Sequence, residues 1–271
     1  AALPELSGLT APEAEEFGQL WLEWTSERVL DIVDRMVALN EEQPDVEFET
    51  IFKQGIVHPS SGVRVSSLKG LEESDDRTLV RPLCEMLKSD PASEVRAAAA
   101  IPLAYLSAMA QMGKLSKRYE EALIDVLYGV LDDEREVTDV KLKALEAVSV
   151  FGGDRLDAHI EAAWSTSDIS ARQSSLFAMG RTSNPKWVDR VIPDLEHDVV
   201  SIRYEATMAM GELGDEEHLT ALEAPLDDAD LTVQLAAISA VERIGGDVAR
   251  GQLERKLVST EPRVVELVQQ A

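Results

Sequence analysis

The chain has 271 residues, with 51 acidic against 26 basic side chains and a net charge of -25. No stretch offers the basic face that would displace counterions from phosphates, and an acidic surface repels nucleic acid and anionic membrane alike, so neither is an expected partner. Aromatic residues make up only 5% of the chain, no run approaches the roughly 18 apolar residues of a membrane span, and strand-like alternation is missing, which leaves an all-α fold.

The N-terminus, Ala1 to Glu5, has neither a basic region nor an apolar signal core, so the cytoplasm is the expected compartment. The absent initiator Met suggests trimming. Residues 1–55 hold 13 acidic and 3 basic side chains, so -10 of the charge lies in a fifth of the chain. Thr10, Pro12 and Glu13 read as a capping box with proline in the first turn. The helix that follows should carry Phe17, Leu20, Trp21 and Trp24 on one face. Thr25 or Ser26 can cap a second helix bearing Val29, Ile32, Val33, Met36 and Val37, which Glu41 to Pro44 should end. Residues 1–50 are expected to be an acidic helical cap over the open flank of a repeat array, with Trp21 and Trp24 as its lid.

From residue 51 to 271 the chain repeats. An apolar residue followed, in most copies, by a basic one recurs with its second member at Arg64, Arg96, Lys141, Arg172, Arg203, Gln234 and Val265. The steps are 32, 45, 31, 31, 31 and 31 residues. A fixed period of this size predicts a solenoid of helical pairs, about seven repeats with the last truncated. The long step holds an insertion near residues 104–121, where the helix after Arg96 should be extended, with Pro102 at a kink or bend. Counted from the motif residue, position -1 runs Val63, Val95, Val140, Ala171, Ile202, Val233, Val264. Position +3 runs Ser67, Ala99, Ala144, Ser175, Ala206, Ala237, Val268, and +7 runs Leu71, Leu103, Val148, Met179, Met210, Val241. These columns lie at helical spacing and predict a buried stripe, with small residues at +3 letting helices approach. Glycines at 152–153, 214 and 245–246 mark turns, after which a second helix should carry Val191, Ile192 and Leu195. Asp90, Asp168, Asp198, Asp230 and Glu261 precede the motif by four to six residues. They can cap helices or meet the basic residues of neighbouring repeats.

The copy through Asp198, Ile202, Arg203, Ala206, Met210, Gly211, Leu213, Gly214 and Asp215 resembles a HEAT repeat of the short kind found in phycobilisome-lyase-type proteins. The resemblance covers about residues 51–271, best from 166 on, and implies an α-solenoid superhelix. Its relatives include scaffolds, chromophore lyases and deoxyhypusine hydroxylases. The hydroxylases bind two irons through repeated His-Glu dipeptides. Here His58, His159, His197 and His218 are followed by Pro59, Ile160, Asp198 and Leu219, so no metal and no cofactor is expected. Each histidine reads as a surface or helix-end residue. Trp164 reads as a core substitution, Trp187 as partly exposed, and Cys84 as a packed thiol.

The expected function is that of a non-enzymatic interaction scaffold that binds a peptide or protein on its concave face. Positions +1 and +5 of the motif helices lie away from the buried stripe. With the turn beyond them they give the candidate partner-binding residues Leu142, Glu146, Gln173, Phe177, Arg181, Tyr204, Met208, Glu212 and Leu235. The acidic field would favour a basic partner, or else serve solubility or a salty cytoplasm. The rival reading, an enzyme or accessory acting on a protein, follows from the resemblance alone.

Overall fold

The computed structural model describes residues 3–43, 45–257 and 261–270, and contains helices and turns with no strand among them. It divides into two compact units, residues 1–148 and 149–271. The first holds α1 (Ala11–Trp21), α2 (Ser26–Glu42), α3 (Glu49–Gly55), α4 (Ser61–Gly70), α5 (Val80–Ser89), α6 (Ser93–Gln111), α7 (Lys117–Asp132) and α8 (Thr138–Val148). The second holds α9 (Asp154–Trp164), α10 (Ile169–Arg181), α11 (Val188–Val191), α12 (Val200–Leu213), α13 (Glu223–Leu226), α14 (Leu231–Ile244), α15 (Gly246–Lys256) and α16 (Pro262–Gln270).

In both units the helices that carry the motif stack on one another. In the first, α4 packs on α6 and α6 on α8; in the second, α10 packs on α12, α12 on α14 and α14 on α16. The alternate helices form a second layer, with α5 against α6, α7 against α8, and α9 against α10. This is the layered packing of an all-α helical-repeat solenoid. Every residue of the -1, +3 and +7 columns is buried, none more than 8% exposed. A three-column stripe one helical turn apart therefore forms the core of each unit.

The N-terminal helices follow their caps. The Thr10 backbone N–H and hydroxyl both donate to Glu13 Oε2, at 2.9 and 2.6 Å, and Thr25 Oγ1 accepts from Arg28 N. Trp21 is buried and Trp24 half-buried, but Leu20 is half exposed, because the buried face of α1 runs through Ala14, Gly18 and Trp21 instead. α2 ends at Glu42; Pro44, like Ala1 and Ala2, lies outside the described residues. The helix that carries Arg96 runs 19 residues, with Pro102 inside it. In the second unit the outer layer departs from expectation. Where a continuous helix should carry Val191, Ile192 and Leu195, a 3-10 turn, the four-residue α11 and a second 3-10 turn follow one another. Pro193 removes a backbone donor there, and Ile192 turns outward while Val191 and Leu195 stay buried.

The motif arginines join consecutive repeats. The Arg64 fork grips Asp90 at 2.9 and 2.8 Å, and Arg96 grips Glu136 at 2.8 and 2.7 Å. Arg172 holds Asp194 at 2.8 and 2.9 Å, and Arg203 holds Asp228 at 2.6 and 2.9 Å. Each guanidinium also donates through Nη1 to a backbone carbonyl ahead of its own helix: His58, Asp90 and His197 at the entry for Arg64, Arg96 and Arg203, and Trp164 at the end of α9 for Arg172. Gln234 keeps only that second bond, to the Asp228 carbonyl. Of the aspartates singled out beforehand, Asp90 is a ladder partner, while Asp168 and Asp230 cap α10 and α14. Asp194, Glu136 and Asp228 complete the ladder from positions the spacing did not mark. The hydrogen bonds from Arg203 and Arg96 hold the Asp228 and Glu136 carboxyls below their ordinary range.

Close approach is written into glycine. A Cβ at Gly211 would meet the Cα of Ala240 on α14 at 2.8 Å, and one at Gly180 would meet the Cα of Ala209 on α12 at 3.0 Å. Gly211→Ala should therefore destabilise the second unit by about 1–3 kcal/mol. Gly129→Ala, in α7 with nothing within 4 Å, should stabilise by about 0.5–1 kcal/mol. Urea denaturation decides, and equal signs for the two variants would refute the close-contact account. In the same assay Asp228→Ala should cost about 3 kcal/mol, because it strands a largely buried guanidinium, and Arg203→Lys about half that, because it keeps the charge and loses the fork. The contribution of a carboxylate with a depressed pKa is complete above its unfolded pKa and fades as pH falls through the folded one. The gap between wild type and Asp228→Ala should hence be constant from about pH 7 to 5 and close below about pH 4; a gap that widens in acid would contradict the pairing.

Candidate functional site

With -1, +3 and +7 turned inward, +1 and +5 lie on the opposite side of each motif helix, four residues apart and so on one face. On α12 that face presents Tyr204 and Met208, each 36% exposed, and on α10 it presents Phe177, 38% exposed, with Gln173 half-buried and Arg181 exposed. On α14 Leu235 and Ser239 are half-buried. Between α12 and α14 these side chains wall an open groove of about 700 Å³. Val200, Tyr204 and Met208 come from one helix, Leu235 and Ser239 from the other, and Leu267 of α16 also lines it. The surface is mainly apolar and lies beside half-exposed rings, which is the make-up of a docking patch.

The structure thus gathers Tyr204, Met208 and Leu235 in one place. Phe177, Gln173 and Arg181 stay on α10, outside the groove wall. Glu212 accepts from Arg243 Nη1 at 2.9 Å across the α12–α14 contact. Leu142 and Glu146 belong to the first unit. Leu142 is a correction: α8 packs against both α6 and α7 and buries Leu142 to 7% exposure, so it offers no surface. Glu146 is half-buried and accepts from Lys143 Nζ at 2.7 Å. The columns missed Val200 and Leu267. Val200 would have been found by stepping the +1/+5 row back one turn to -3, where Ile169 and Val200 are 47% and 39% exposed. Leu267 lies at +2 and carries no such signal.

Cys84, His58, His197 and His218 each have a defined local setting. Burial pushes the Cys84 thiol up to about 11, which leaves almost no thiolate at neutral pH. His58 is buried, not superficial. It stacks edge-on to Trp21 at 6.0 Å, its Nδ1 accepts from Ser60 N, and burial followed by the Arg64 charge lowers its pKa. His197 repeats that bond to Val199 N at 3.0 Å, and His218 Nδ1 lies 2.7 Å from Asp215. Such histidines, each spent at the entry of its own turn, do not fit a two-iron centre. Among the described residues no group of three or more His, Cys, Asp or Glu is placed to hold a metal, and no helix is long and apolar enough to cross a membrane.

Two tryptophans also differ from expectation. Trp187 is 3% exposed rather than partly exposed, because the short turn that carries it folds its ring inward beneath the Lys186 ammonium, 4.8 Å from the ring centre. Trp164 is half-buried, with the guanidiniums of Arg172 and Arg190 at 3.9 and 4.7 Å from its ring. These are cation–π contacts that a leucine in the same column cannot make.

Residues 156–242 match the family of HEAT repeats. The solved structures that the chain resembles include an engineered protein, at 20% identity over 71% of this chain and 94% of that one, with a TM-score of 0.43. The YibA protein of Escherichia coli aligns at 14% identity over 92% and 98%, with a TM-score of 0.47. Human deoxyhypusine hydroxylase aligns at 16% identity over 96% and 94%, with a TM-score of 0.40. No curated protein matches the sequence.

The Cys84 environment makes a direct prediction. A thiol-specific disulfide reagent at pH 8 should modify the native chain at least about a hundredfold more slowly than the urea-unfolded chain. Comparable rates would mean that the α5 thiol is open to solvent.

Proposed function

We propose, from the premise that residues 156–242 are HEAT repeats, that the chain is a protein-interaction scaffold that docks a peptide or protein segment in the groove between α12 and α14. Helical repeats offer extended, rigid faces for this purpose. One observation carries the reading: Tyr204, Met208 and Leu235, from successive motif helices, share the wall of an open, mainly apolar groove. In the same reading residues 1–50 cap the first repeat, residues 51–271 supply the array, and the neighbouring Phe177 extends the face along α10.

Binding is then a matter of removing apolar surface from water on side chains that the fold already holds still, so little ordering entropy is lost. Tyrosine and methionine suit such a surface, the first as a stiff anchor and the second as an adaptable one. Tyr204→Ala combined with Met208→Ala should weaken capture of a specific partner from native extract by about tenfold or more. Both side chains are over a third exposed, so helicity should be unchanged and the melting temperature should fall by only a few degrees. Normal capture by an early-melting variant would show that these residues serve the core and would end the proposal.

A further inference from the structure

We infer that one side of α15 is a self-association face, and that its occupant is α15 of a second copy of this chain, laid antiparallel across a two-fold axis. Toward the preceding repeat α15 is already fastened: Arg255 Nη2 pairs with Glu223 at 3.4 Å, and Lys256 pairs with Asp227. On a different side of the helix Gly246, Arg250, Leu253, Glu254 and Leu257 line an open groove of about 320 Å³ together with Val268 of α16. This groove shares no residue with the one between α12 and α14. Leu257 is 43% exposed. Arg250 and Glu254 are exposed as well, and neither has an ion-pair partner among the described residues.

Two observations select a second copy. The first is a self-complementary pattern. Arg250 and Glu254 stand one turn apart on one face of α15, with opposite charges. In a two-fold contact residue i meets j wherever j meets i. Antiparallel α15 helices crossing at the level of Gln252 therefore bring Arg250 of each copy to Glu254 of the other, and both ion pairs close at once. The same axis sets Leu257 of each copy over Gly246 of the other, an exposed apolar side chain over a residue that has none. The third charged group of the groove, Glu242, belongs to α14 and lies outside this row. The second observation is the distribution of charge. A chain of net charge -25 repels its own copy, but salt confines that repulsion to charges within a Debye length, about 8 Å at physiological ionic strength. Residues 246–271 carry five acidic and four basic side chains, whereas residues 1–55 carry 13 and 3. The near-neutral stretch that holds α15 is where two such chains can meet.

The test is sedimentation velocity of the full chain over a range of about 1 to 300 μM, in about 150 mM salt. A small face should give a monomer–dimer equilibrium with a Kd of about 10–100 μM. Arg250→Glu and Glu254→Arg should each weaken self-association about tenfold or more, because the two-fold axis turns both attractive pairs into like-charge contacts. Mixed in equal amounts, the two variants should form a heterodimer about as tight as the original dimer, since opposite charges then face one another at both contacts. Both positions are exposed, so the melting temperature of each variant should stay within a few degrees. A chain that is monomeric at about 300 μM, single reversals that leave the dimer unchanged, or a mixture that stays monomeric overturns the inference. So does a dimer that Tyr204→Ala with Met208→Ala dissolves and the charge reversals do not, because the second copy then occupies the groove between α12 and α14.

Discussion

Each motif arginine with a carboxylate partner is fastened at two points that belong to different repeats. Nη1 holds a carbonyl of the segment that leads into its own helix or, for Arg172, one at the end of the helix before, and the Nε–Nη2 edge holds a carboxylate of the next repeat. A guanidinium is planar and its donors diverge at fixed angles, so closing both contacts fixes the rotation and rise between neighbours. Burial of the pair adds little net stability, because desolvation offsets much of the attraction; what it secures is register. The position six residues before Arg64 and Arg203 reinforces the joint. There His58 and His197 accept a backbone N–H two residues on, while Asp90 and Asp228 do the same and also serve as the ladder's carboxylates.

Register in turn makes the outer face usable. Small residues at +3 and glycines at 180 and 211 draw the motif helices together until backbone meets backbone. Side chains at +1 and +5 cannot enter so narrow a seam and are left standing along it. The trough between α12 and α14 is the by-product of that close approach. Its walls are as rigid as the helices that bear them.

The core was legible because a helix imposes one period on everything it buries: all three columns could be read from spacing alone, and all three are inside. The face opposite was legible only in part. Tyr204, Met208 and Leu235 meet as the +1/+5 rule implies, yet Leu142 occupies the same column and is buried, because α8 is enclosed by α6 and α7. Exposure depends on what surrounds a helix, and the period of that helix carries no record of its surroundings. The same limit explains Trp187, whose ring lies inward on a 3-10 turn where a regular helix would have carried it elsewhere. It also explains Asp194 and Glu136, which find their arginines through the stacking of repeats and not through any spacing of their own.

The ladder does not reach the C-terminal end. Gln234 supplies an amide in place of the fork, and Val265 supplies no polar group at all. Within the second unit the Arg172–Asp194 and Arg203–Asp228 forks join α10 and α12 to the repeats that follow, whereas α16 packs on α14 and α15 with Val264 and Val268 buried. Cooperativity in a repeat array passes from neighbour to neighbour, so a repeat without a fork is coupled to the one before it through packing. Leu267 stands on that last helix. The two long walls of the trough, α12 and α14, are thus bound to each other through the Arg203–Asp228 joint, while Leu267 lines it from α16, which no motif guanidinium ties to α14.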